Sequence, residues 1–196
     1  MDILINGKNI DYSLESEQTI GEVLGSVESA CEEAGMTVIS IAIDGAPVSP
    51  DELDGVFRQD PSSVSKIELE TLSGDDIRQM LADLGSRFSE CVPALEDIPV
   101  QLQIGKDIQV METIHSFSLD LERLYKLIPL VHLTDLAPED LTVEGIALAD
   151  FPSNLAPLLS ELLSALEQKD TVLAGDISEY ELAPKIGALG ETLNRI

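Results

Sequence analysis

The sequence predicts an α+β protein in two parts: a small domain of strands and one helix over residues 1–73, then an all-α helical bundle over residues 74–196. Three observations lead to this reading. Period-two apolar alternation, with Asn-Gly and Asp-Gly pairs between the runs, is confined to the first part. Beyond residue 75 the main apolar patterns recur at helical spacing. Apolar residues make up 44% of the chain at a mean hydropathy of +0.13, ample for packed cores, but only 4% are aromatic and tryptophan is absent. Leu, Ile, Val and Ala must therefore do most of the packing.

The first part reads strand, strand, helix, strand, strand. Residues 3–5 are apolar, Asn6-Gly7 supplies turn chemistry and residues 10–14 alternate, which is a hairpin signal. Thr19 and Glu22 stand three apart as a capping box. Ile20, Val23, Leu24, Val27, Ala30, Cys31 and Ala34 then form one helical face, with Gly35 as the stop. Ile39, Ile41 and Ile43 alternate with small residues and predict a central strand, turned at Asp44-Gly45. Residues 47–61 form a polar connection with one helical turn near residues 51–54. Val64, Ile67 and Leu69 lead the last strand.

From Asp75 a helix with the face Ile77, Met80, Leu81, Leu84, Phe88 and Cys91 is expected to stop near Pro93. Residues 94–103 read as helix limited or kinked by Pro99. Asp107 is placed to cap a long helix that runs to about residue 127, buries Val110, Met111, Ile114, Phe117, Leu121, Leu124 and Ile128, and is bent or ended by Pro129. Residues 134–152 read as a loop. A leucine-rich helix follows from Ser153, with Leu155, Leu158, Leu159, Leu162, Leu163 and Leu166 on a wide face. A final helix over residues 171–195, capped by Asp170, is interrupted near Pro184 and turns Leu173, Ile177 and Tyr180 inward.

Two resemblances follow. The pieces Ile5-Asn6-Gly7, Thr19-Ile20-Gly21-Glu22-Val23-Leu24 and Ala42-Ile43-Asp44-Gly45-Ala46-Pro47-Val48 resemble the β-grasp (ubiquitin-like) fold, and most of all its small bacterial sulfur carriers. The likeness covers residues 1–73 and implies a fold more than an activity. A sulfur carrier activates a free C-terminal Gly-Gly, whereas this chain has Leu72-Ser73-Gly74-Asp75 and continues for 122 residues after Gly74. What the resemblance implies is a docking module. In the second part, Asp170-Thr171-Val172-Leu173 and the run from Asp176 to Pro184 resemble a phrase of uncharacterised bacterial helical proteins, to which no activity attaches.

Charge narrows the partners. The formal net charge is −26, with 15 acidic and 3 basic residues before residue 74 and 22 and 8 from there on. A field this negative in both parts repels phosphate backbones and argues against nucleic acid and anionic membranes as partners. Residues 1–6 lack the basic-then-apolar order of a signal peptide, and the apolar run at residues 127–133 is far too short for a bilayer span. A cytoplasmic location is the expectation.

Chemical motifs are sparse. Cys31 and Cys91 lie in apolar helical patterns, where a thiol acts as a small hydrophobe. Glu112 and His115 make one half of the paired Glu-x-x-His motif of carboxylate-bridged di-metal bundles, with no second copy in the chain. His132 sits in an apolar stretch and reads as a packed or interface residue. The acidic segments 51–60 and 135–144 lack the calcium-loop pattern, and no phosphate-binding glycine motif or nucleophile elbow occurs.

The reading from sequence thus assigns no catalytic, cofactor-binding or metal-binding residue and no cofactor. It expects a non-catalytic binding or adaptor protein acting through protein–protein contacts, its partner unspecified, with a homodimer as one outcome. Two alternatives stand beside it. One is an accessory factor docking on a sulfur-transfer or cofactor-biosynthesis enzyme. The other is a chaperone-like assembly accessory of an envelope or motility component.

Overall fold

A computed structural model describes residues 1–14, 16–137 and 141–196. The chain is α+β and divides into two compact units, Met1–Gly74 and Asp75–Ile196.

The first unit is a mixed five-stranded sheet with a helix across it. Strands β1 (Asp2–Ile5), β2 (Lys8–Ile10), β3 (Met36–Ile43), β4 (Ala46–Pro47) and β5 (Lys66–Ser73) take the order β2-β1-β5-β3-β4. β1 runs parallel to β5, and the other pairs are antiparallel. The apolar face of helix α1 (Ile20–Glu33) buries Ile20, Val23, Leu24, Val27 and Cys31 against Ile3, Ile67 and Leu69. Thr19 caps α1 by accepting from the Glu22 N–H at 3.2 Å, while the Glu22 carboxylate accepts from the Gln18 N–H at 2.6 Å. The reciprocal bond of the expected capping box thus falls one residue earlier. Ala30 and Ala34 are exposed, beyond the edge of the buried face.

Both tight turns do more than reverse the chain. Asn6 and Asp44 hold positive φ of 49° and 50°, each followed by a positive-φ glycine, as the favoured hairpin turns require. The Asn6 side chain accepts from the Thr71 N–H (2.9 Å) and donates to Thr71 Oγ1 (3.0 Å). The Asp44 carboxylate accepts from the N–H groups of Ser65 (3.0 Å) and Lys66 (2.8 Å). The two turn residues therefore clamp opposite ends of β5, and β5, rather than the isoleucine strand, is central.

The isoleucine strand departs further from expectation. Its register against β5 shifts between Val38 and Ser40, leaving Ile39 without a ladder partner. Such a bulge changes side-chain parity along a strand. Met36 and Val38 pack on the core before it and Ile41 and Ile43 after it, while Ile39 is 46% exposed. The expected alternation over residues 10–14 ends at Ile10. The connection after β4 is a 3₁₀ turn, Pro50–Glu52, leading into helix α2 (Leu53–Phe57).

The second unit is helical: α3 (Gly74–Glu96), α4 (Ile98–Gln103), α5 (Asp107–Leu127), α6 (Phe151–Glu167), α7 (Thr171–Asp176) and α8 (Ala183–Leu193). Helix α3 does not stop at Pro93. The next turn is closed by the Asp97 N–H donating to the Pro93 carbonyl (3.1 Å) and anchored by fully buried Leu95 and nearly buried Ile98. Asp107 is the first residue of α5 rather than its cap, and Leu127 takes the buried place expected of Ile128. Met80 and Met111 lie exposed, outside the faces assigned to them.

Three further corrections concern backbone geometry. Within the expected loop, strands β6 (Thr142–Val143) and β7 (Ile146–Ala147) pair through Glu144-Gly145, both at positive φ. The expected acidic segment 135–144 partly lies outside the described residues. Helix α6 begins at Phe151, two residues early, because Pro152 is accommodated in the first turn, where its missing N–H costs nothing. The expected final helix is divided by a π-helical segment, Ile177–Leu182. Pro184 cannot donate to the carbonyl four residues back, and widening the preceding turn accommodates that loss. The wider turn also changes the helical phase beyond Ile177: Ile177 is buried but Tyr180 faces outward. Leu173, in the first turn of α7 ahead of that segment, is exposed as well.

Helices α3 and α8 approach through glycines. A Cβ placed on Gly190 would lie 3.1 Å from the Gly85 carbonyl oxygen, and one on Gly85 would lie 2.8 Å from the Asn194 backbone nitrogen. Asn194 bridges the crossing, donating to Ser89 Oγ (3.1 Å) and accepting from Ser86 Oγ (3.2 Å). On the other side of α3, the buried Asp120 carboxylate accepts from Arg87 (2.7 Å) and Arg123 (2.9 Å), tying α3 to α5.

Candidate functional site

Of the groups singled out in the sequence, Glu112 and His115 border one open hollow and Glu112 and Cys91 another, while His132 borders neither. His115 and Glu112 are both exposed on α5, and His132 is exposed with Nδ1 2.7 Å from the Pro129 carbonyl oxygen. The apolar neighbours of His132 predict a packed or interface position; it is not packed, and the 3₁₀ stretch Ile128–Leu133 buries Val131 instead. Among the described residues, no group of three or more His, Cys, Asp or Glu side chains could hold a metal ion.

Cys91 borders an open hollow with Arg87 and Asp120. Burial, and secondarily the Asp120 charge, push its thiol up to about 11 from the ordinary 9.0. An activated cysteine needs the opposite shift, since the thiolate is the nucleophile. The expected result is slow alkylation of Cys91 in the folded chain at neutral pH, with a rate that rises through pH 10, followed by mass spectrometry. The linkage has a definite sign. A folded-state value above the unfolded one stabilises the fold below about pH 9, and that contribution is lost as pH rises towards 11.

The helical unit has a different kind of site where the α4–α5 turn meets the α6–α7 turn. A groove of about 320 Å³ there is lined by Leu102, Val110 and Met111 on one side and Ala165, Leu166 and Thr171 on the other. Gly105, at φ +72°, lets the chain reverse from α4 into α5. Asp170 accepts from the Leu173 N–H at 3.0 Å and starts α7. Beside the groove in sequence stand two of the most exposed apolar side chains of the unit, Ile108 (77% exposed) and Val172 (72%). Ile104 and Met111 are also more than half exposed.

Sequence reasoning missed Ile108 and Val172. Each is the second residue of its helix; Ile108 falls out of phase with the buried Val110 and Phe117 of α5, and the six-residue α7 is too short to show a face around Val172. For Ile108, being out of phase with its own helix face was the available signal. Isolated exposed apolar residues are ordinary on a protein surface. Here Met111 lines both the groove and an adjoining hollow with Ile108, and such contiguous apolar surface marks an interaction site.

The fold and this surface define a two-unit α+β protein with an apolar groove at one end of its helical unit. The comparisons with known proteins agree with the division. Residues 1–73 match the family model described as TP0873 N-terminal domain, and residues 79–192 match the one described as Domain of unknown function (DUF8042). A Treponema pallidum (strain Nichols) protein described as "Uncharacterized protein" is 38% identical over 191 residues, covering 97% of this chain and 95% of that one. The chain belongs to the DUF8042 family. No solved structure matches it. No helix among the described residues is long and apolar enough to cross a membrane.

Proposed function

We propose that the protein is a non-catalytic adaptor that acts by binding another protein at the apolar end of its helical unit. The observation that carries this reading is the apolar groove lined by Leu102, Val110 and Met111, with the exposed Met111 also lining an adjoining hollow with Ile108, and exposed Ile104 and Val172 next in sequence to groove residues. A partner that covers what remains exposed of these residues recovers a share of the roughly 1.5–3 kcal/mol that full burial of each is worth. The separated, exposed histidines and the raised thiol of Cys91 support the absence of chemistry. The net charge of −26 favours protein partners over nucleic acid or anionic lipid.

For the first unit, the β-grasp reading is supported by the strand order, the parallel β1–β5 pair and the helix crossing the sheet. The non-carrier reading is supported at the end of β5, where Ser73 runs directly into α3 at Gly74. Of the narrower roles, a chaperone-like assembly accessory fits the exposed apolar end best, because holding a client's apolar segment needs such a surface.

The test is capture of a partner from the native host at physiological salt, with the intact chain and with Ile108→Asp and Val172→Asp. Both substitutions sit at exposed positions and are expected to leave the melting temperature within a few degrees. Each is expected to cost at least about tenfold in partner affinity. His132→Ala, which borders neither the groove nor the hollow that holds Ile108, is expected to leave capture unchanged. An intact chain that captures no partner, or aspartate variants that capture it equally well, overturns the reading.

A further inference from the structure

We infer that the first unit has its own peptide-binding edge: β3 takes up a short extended peptide, apolar in its centre and flanked by lysine or arginine, as an added strand. The inference rests on the protein-contact reading for its class of partner, but it uses a different surface in a different unit.

The edge is incompletely covered. β4 pairs only with Ala42 and Ile43, and the Val48 N–H adds one bond to the Ile41 carbonyl (2.9 Å). From Met36 to Ser40, β3 has β5 on one side and, among the described residues, no strand on the other. The direction of the backbone groups follows from the ladder. The Leu69 carbonyl accepts from the Asn6 N–H on the β1 side, so Glu70 and Leu72 direct their backbone groups at β3. Thr37, the partner of Leu72, faces back towards β5, which turns the N–H and C=O of Met36 and Val38 to the open side.

Beside this edge lies a groove of about 380 Å³, lined by Val38, Ile41 and Leu69 of the sheet, Leu24 of α1, and Leu53 and Phe57 of α2. Backbone hydrogen bonds along the edge would supply affinity, and the groove would receive alternate side chains of the added strand. Natural edges are usually blunted by lysine, proline or a bulge. Here β3 carries neither lysine nor proline, and its bulge residue is the exposed, apolar Ile39. The bulge limits the edge to a short strand, which suits a peptide better than a long sheet-to-sheet contact.

Charge selects the occupant. Among the described residues, Glu28 is the one charged residue lining the groove, and Asp51, Glu52 and Asp54 surround Leu53 in sequence. With 15 acidic against 3 basic residues before residue 74, a second copy would bring like charge to this edge. A lysine-flanked peptide brings the opposite sign.

The test titrates fluorescent Lys-Lys-Val-Thr-Val-Ile-Lys-Lys into the full-length chain by anisotropy. The expected results are saturable binding that weakens with added salt and a loss of about tenfold with Glu28→Lys. A peptide of the same sequence with alternate backbone amides methylated is expected to lose at least about tenfold, since it cannot complete the ladder. Binding is expected to be unchanged in the Ile108→Asp, Val172→Asp chain, which separates this edge from the helical surface. No saturable binding, equal binding of the methylated peptide, or equal binding of a glutamate-flanked one overturns the inference. So does a dimer that Ile39→Asp dissociates. A chain that captures its partner through α5 and α7 but ignores these peptides would overturn the edge alone.

Discussion

Gly85→Ala is expected to destabilise the helical unit by about 3 kcal/mol, at the upper end of what overpacking costs. The added carbon would sit 2.8 Å from the Asn194 backbone nitrogen and 2.9 Å from the Leu193 Cβ, and neither is the free end of a flexible side chain. Relief requires α3 and α8 to separate, which would pull Leu193 from full burial and stretch the Asn194 bonds to Ser86 and Ser89. For a unit of this size such a loss lowers the melting temperature by roughly 10–15 °C. Gly187→Ala supplies the control within α8. Its Cβ would meet only Val92 at 3.7 Å, an ordinary contact, so helix propensity dominates and stability should rise by about 0.5–1 kcal/mol. Thermal melts by far-ultraviolet circular dichroism measure both. Equal effects of the two substitutions would show that the close α3–α8 crossing is not a constraint.

That contrast marks where the sequence was legible. Thr19, Asn6-Gly7 and Asp44-Gly45 announce themselves because caps and tight turns are decided within four residues. Nothing local distinguishes Gly85 and Gly190 from Gly187, since the difference lies in what packs against them. The bulge at Ile39 was hidden for a related reason: Ile-Ser-Ile-Ala-Ile reads as a flawless alternation, and only pairing with β5 reveals a residue without a partner. The Glu144-Gly145 hairpin has two-residue arms, too short to show a period.

The apolar groove was the least legible feature. Helical spacing turns Met111 and Tyr180 inward because it identifies a face without saying how wide the covered part of it is. Helix ends protrude past their neighbours, and the turn before Pro184 departs from the α-helical period. The exposed residues at the α4–α7 end follow from helix lengths and from where neighbouring helices stop. Those are tertiary quantities that a periodicity in one segment cannot carry.

Phe88→Ala is the second large effect expected, about 4 kcal/mol. Phe88 is fully buried on α3, and its ring meets Phe117 of α5 edge-on, with centroids 6.3 Å apart and planes at 71°. Truncation removes the transfer free energy of the ring and leaves a cavity. It also forfeits the aromatic pairing, worth roughly 1 kcal/mol beyond burial. Phe88→Leu restores most of the volume but not the edge-on contact, so its loss should fall to about 1–2 kcal/mol. The double change with Phe117→Leu tests the pairing directly. If the rings are coupled, the double variant loses less than the sum of the single losses, and the difference is the pair's interaction energy. Strict additivity in denaturant titrations would instead assign the whole effect to volume. The α3–α5 contact would then rest on aliphatic packing and on Asp120 held between Arg87 and Arg123.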